Sequence, residues 1–84
     1  MNNKVLINIF VPSIQSSFNA YIPINKKVGT IKNYILKSIN ELTGGYIDLT
    51  KSFIFLNRDS GEEYANNIYI KDTNIRNGSK LIII

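Results

Sequence analysis

Residues 77–84 read "NGSKLIII", and their reading decides how the rest of the chain is understood. Asn77-Gly78 is a dipeptide that accepts positive φ, so it marks a tight turn. Four apolar residues follow without a break, Leu81, Ile82, Ile83 and Ile84. Three of them are β-branched, which favours a strand. By the period of two, Leu81 and Ile83 share one face and Ile82 and Ile84 the other. Left on an edge, such a strand would invite aggregation. It must therefore be packed, and the chain must supply its neighbours.

Working outward, residues 4–11, "KVLINIFV", supply the first. Val5, Ile7, Ile9 and Val11 alternate with Leu6, Asn8 and Phe10. Pro12 and Ser13 open a turn carried by "SIQSS". Residues 18–24, "FNAYIPI", alternate again, with Phe18, Ala20, Ile22 and Ile24 on the apolar face. Pro23 has no N–H to give a ladder, which assigns this strand to a sheet edge. Together the two strands make a hairpin. Thr30 is expected to cap a helix from Ile31 to Leu42. Its apolar stripe is Ile31, Ile35, Ile39 and Leu42, with Lys32, Asn33, Lys37 and Asn40 toward solvent. Gly44-Gly45 stops it. Ile47 or Leu49 then tucks inward. Residues 52–56, "SFIFL", form a third strand with Phe53 and Phe55 facing in and Ile54 and Leu56 out. Asp59-Ser60-Gly61 is a turn before a short strand near Glu62–Tyr64, and Ile68, Ile70 and Ile75 anchor an irregular stretch. The order is β-β-α-β-β-β: an α+β fold, a mixed sheet of four to five strands with one helix across one face.

The length of 84 residues suits one domain spanning 1–84. There is no cysteine and no histidine, which removes disulfides, thiolate chemistry and the commonest general base and metal ligand. Glu62 and Glu63, as strand neighbours, point to opposite faces and cannot share a substrate. Asp59, Glu62 and Glu63 lack the spacing of a calcium loop. These features indicate a chain that is not an enzyme and has no cofactor or metal. The net charge of +4 is a mild tilt, concentrated in the first half. No apolar stretch approaches the ~20 residues that span a bilayer, so no membrane insertion is expected. "MNNKVLINIFVP" lacks a small-residue cleavage site and reads as a strand, not a signal peptide; the expected compartment is the cytoplasm.

The order and several short motifs resemble the ubiquitin-like β-grasp superfamily: "INIFVPSI" the first hairpin, Thr30-Ile31 the helix start, "FIFL" the third strand, and "IKDTNIRNGSKLIII" the final segment. Within it, "KVLINIFVP", "DTNIRNGSKLIII" and the bare length are most similar to the bacterial YukD/EsaB-type ubiquitin-like proteins of type VII (WXG) secretion loci. That resemblance implies a cytosolic accessory or regulatory component of such a system, acting by protein contact. It also implies a site, because Ile14, Ile54 and Ile84 fall where ubiquitin has its apolar patch.

From the alternation itself, Leu6, Phe10, Ile54, Leu56, Ile82 and Ile84 share the face away from the helix once the first, third and last strands are neighbours, as the ubiquitin order implies. Ile14 extends this candidate protein-interaction surface. A secretion-system component is its expected partner, and the same face offers a homodimer contact. Two other readings stand beside it. One is a sulfur carrier or conjugated modifier; such relatives need a flexible Gly-Gly tail, whereas this sequence ends at Ile84, inside the strand. The other is weak nucleic-acid binding through Lys26, Lys27, Lys32 and Lys37. With no arginine cluster or RNA-binding aromatic motif, no nucleic acid is expected.

Overall fold

The structure is a computed structural model describing residues 3–84; Met1 and Asn2, which begin the stretch weighed as a signal peptide, lie outside them. The elements are β1 Lys4–Val11, β2 Ser16–Pro23, α1 Val28–Leu42, β3 Phe55–Asn57 and β4 Lys80–Ile83. Short 3-10 turns occupy Pro12–Ile14 and Ile70–Asp72. The sheet order is β2-β1-β4-β3. The "NGSKLIII" strand is therefore central, parallel to β1 and antiparallel to β3. Placing β4 parallel beside β1 requires a long crossover, and α1 lies within it. The edge strand β2 ends at Pro23, where a missing donor costs no ladder bond.

The inner face of the sheet is closed by the helix. Ile7, Ile9, Val11, Phe55, Leu81 and Ile83 are each no more than 1% exposed. Val28, Ile31, Ile35, Leu36 and Ile39 come down on them from α1, and Ile47, Ile70 and Ile75 fill the ends. Tyr64 completes the core, its ring tilted against Phe55 at 6.1 Å. Its buried hydroxyl donates to Asn74 Oδ1 (2.6 Å) and accepts from Asn57 Nδ2 (3.1 Å), so the polar atom costs little.

Five local expectations are corrected. The helix starts at Val28, and Thr30 lies inside it; the cap position is Lys27, which makes no side-chain cap bond. The first N–H groups find carbonyls in a loop instead: Val28 N–H donates to Ile68 O (2.8 Å) and Gly29 N–H to Asn66 O (2.9 Å). Tertiary acceptors replace the capping hydroxyl. Gly29 is required by this approach, since a Cβ there would meet Asn66 Cβ at 3.0 Å. At the other end Leu42 is 78% exposed; Ile39 is the last helical residue in the core, and Leu36 is buried in place of Leu42. Lys32, expected in solvent, is buried. The third strand is shorter and later than residues 52–56. Ile54 nonetheless exchanges both backbone hydrogen bonds with Ile84 (2.8 and 3.1 Å), which extends the β3–β4 pairing. The strand expected near Glu62–Tyr64 reduces to one bridge, Leu56 to Glu63. The turn at Gly61, with φ +76°, returns the chain to β3, and burial of Tyr64 then draws it into the core.

Candidate functional site

The site is built by strand register. On the outer face, Phe10 of β1 pairs with Ile82 of β4, and Ile82 pairs with Leu56 of β3. These three half-buried side chains form a row across the sheet. Ile84 and Ile54, joined by their reciprocal bonds, form the next row, 48% and 38% exposed. Five apolar side chains are thus continuous on a face no helix covers. The Arg58 guanidinium lies over the Phe10 ring, 5.2 Å from its centroid, and gives the patch a cationic rim.

Two of the residues expected in this patch sit elsewhere. Leu6 is exposed on the same face, but a polar row separates it from Phe10. Asn8 pairs with Asn19 on one side and Lys80 on the other, and the two asparagine side chains hydrogen-bond at 3.0 Å. Leu6 pairs instead with Tyr21, 63% exposed, as a separate apolar spot. Ile14 is half-buried and packs against the core. The turn Pro12–Ile14 ends at Gln15 with φ +52°, where Gln15 N–H donates to Pro12 O (3.0 Å) and closes the corner. Ile14 therefore sits at the corner turn, half-buried like Phe10, Leu56 and Ile82.

The lysines expected as one patch are divided. Lys26 lines a groove on one flank of α1 together with Tyr21, Pro23 and Tyr34. Lys27 covers the Tyr69 ring at 5.8 Å, which Lys71 also covers at 5.7 Å. Lys32 and Lys37 line a different groove, of about 610 Å³, between α1 and residues 49–54. Within it Lys32 Nζ donates to Phe53 O (2.7 Å) and Asn66 Oδ1 (2.9 Å). The helical stripe gave no sign of that groove. The only hint was the i, i+4 pairing of Lys32 with Leu36 on one flank.

Among the described residues no group of three or more His, Cys, Asp or Glu is placed to hold a metal ion. No helix among them is long and apolar enough to cross a membrane. Asp48 has its carboxyl held below the usual range, first by the Thr50 hydroxyl and then by the Thr50 N–H. It forms a local turn and not a reactive centre.

The backbone overlays, over 99% of this chain and 78% of the other, on the ubiquitin-like domain of Arabidopsis thaliana protein At2g32350, with a TM-score of 0.72. The fold is the ubiquitin-like β-grasp. Sequence identity to that domain is 17%, so the likeness is one of architecture. A chain of the MycP5-free ESX-5 inner membrane complex contains a similar unit: TM-score 0.82, 12% identity, 99% of this chain but 21% of that one. ATBAG1 in complex with HSP70 is similar over 95% of this chain and 39% of its own, with a TM-score of 0.66 and 16% identity. No protein-family model and no curated protein matches the sequence.

Proposed function

We propose that this chain is a non-catalytic protein-interaction module that works as a cytosolic accessory or regulatory component of a type VII secretion system. Its partner surface is the outer sheet face. The observation that carries the reading is the uncovered apolar face of Phe10, Leu56, Ile82, Ile54 and Ile84. Contiguous apolar surface left open to water commonly marks an interaction site. Leu6 with Tyr21 serves as a separate outlying contact, and Ile14 sits at the corner turn. Full burial of an exposed apolar side chain is worth about 1.5–3 kcal/mol; these five are already partly buried and each gains a fraction of that, so the face must act as a unit. The secretion reading is supported by the similar unit in a chain of the ESX-5 inner membrane complex.

The test uses the double variant Ile82→Thr/Ile84→Asp. Threonine keeps the β-branch inside the strand, and the aspartate stands at an exposed position. Affinity capture from the native cell should retain an inner-membrane component of the secretion machinery with the unaltered chain and lose it with the variant. An identical captured set would sink the outer face as the partner surface. Capture that depends on this face but contains no secretion component would sink the assignment to that machinery. Sedimentation of the free chain as a dimer that the variant dissolves would make a second copy the occupant.

A further inference from the structure

We propose that the groove between α1 and residues 49–54 is a second binding site, for an extended peptide segment that carries carboxylates beside aliphatic side chains. It shares Ile54 with the outer face and otherwise rests on different side chains. The charged residues lining it are all lysines, Lys32, Lys37 and Lys51, and the other polar lining residues, Asn33, Ser52 and Asn66, are neutral. Lys32 is the informative one. It is 8% exposed, yet its two acceptors, the Phe53 carbonyl and the Asn66 amide oxygen, carry no charge. Buried charges are normally paired with an opposite charge. An ammonium has three donors, and these contacts use two. A carboxylate entering the groove supplies the missing countercharge. Lys37 and Lys51, both exposed, stand at the rim. Asp48 lies close to Lys51 and offsets part of its charge, but it is not among the residues lining the groove.

Beside the lysines the lining is an apolar wall. Leu36 and Phe53 form its inner part, and Leu49 and Ile54 its exposed part. An inorganic anion would use the lysines and leave this wall wet. An aliphatic side chain next to a carboxylate uses both. The volume, about 610 Å³, lies within the range that encloses a ligand of several side chains. A nucleic-acid strand fits less well, because the lining holds no arginine and one aromatic ring, Phe53. Ile54 belongs to both the groove and the outer face, so a partner gripping the face can lay a flanking acidic segment into the groove.

The probe is the blocked peptide acetyl-Asp-Leu-Glu-Leu-Asp-amide, titrated into the isotope-labelled full chain and followed by backbone amide NMR shifts. Shifts should cluster at residues 32–37 and 49–54. Affinity should fall about tenfold when Asn and Gln replace the acids, and about tenfold in Lys37→Glu/Lys51→Glu. That variant should keep the wild-type circular dichroism melt, since both lysines are exposed. The outer-face variant Ile82→Thr/Ile84→Asp should keep the groove shifts, so each surface is judged separately. Equal binding by the neutral peptide overturns the proposal, as do shifts confined to β1 and β4. Equal affinity for inorganic phosphate makes it a simple anion site, and tighter binding of an oligothymidylate makes it a nucleic-acid site. Either result also overturns it.

Discussion

Along the last strand the two faces of the sheet carry nearly the same chemistry and meet opposite fates. Leu81 and Ile83 are fully buried, whereas Ile82 is half-buried and Ile84 half-exposed, though all four are neighbours on one strand. Phe55 is 1% exposed, and Ile54 before it is 38% exposed. Hydrophobicity does not separate these residues. The helix does, because it covers one side and leaves the other open. The inner face thus serves stability, and the outer face is the proposed partner surface.

The contrast is broken most directly at its centre. Leu81→Ala should cost about 2–5 kcal/mol, because it opens a cavity where β1, β4 and the helix meet. Urea unfolding would measure this, and a loss under 1 kcal/mol would show that the inner face is not the core. Next come the fastenings of the helix. Lys32→Met keeps the aliphatic stem but strips the Phe53 carbonyl and Asn66 of their donor, so a loss of about 1–3 kcal/mol is expected in the same assay. Gly29→Ala should destabilise by about 1 kcal/mol, although alanine is the better helix former. The added Cβ presses on Asn66, which also receives Lys32, so the amides of residues 65–68 should exchange faster with solvent. A gain in stability there would show that the loop yields easily. The smallest stability effect belongs to the outer face. Ile84→Asp should move the unfolding free energy by no more than about 1 kcal/mol, the span of strand propensity, while weakening partner capture. A large loss of stability would mean that Ile84 is part of the core.

Much of this was legible in the chain because strands declare themselves through alternation. The faces of β1 and of "NGSKLIII" follow from a period of two, and the edge position of β2 follows from the missing N–H of Pro23. The helix was legible in existence but not in phase. Counting Ile31, Ile35, Ile39 and Leu42 as one stripe placed Leu42 inside and Lys32 outside, and the structure reverses both. Periodicity shows that a helix has an apolar side. It does not show where the core beneath it ends, or which loop closes its flank. Leu42 lies beyond Ile39, the last helical residue in the core, and Lys32 meets the carbonyl of Phe53 from a segment twenty-one residues away.

The candidate face divides in the same way. Alternation assigned Leu6, Phe10, Ile54, Leu56, Ile82 and Ile84 to one side. Only the pairing register decided that Phe10, Ile82 and Leu56 form a row, and that Asn8, Asn19 and Lys80 cut Leu6 away from it. Sequence by itself determined most of the elements and their faces, because these depend on side chains a few residues apart. Tertiary structure decided the capping of the helix by Ile68 and Asn66, the burial of Lys32 and the outline of the exposed patch. Those depend on groups brought together from distant parts of the chain, and no local pattern encodes their meeting.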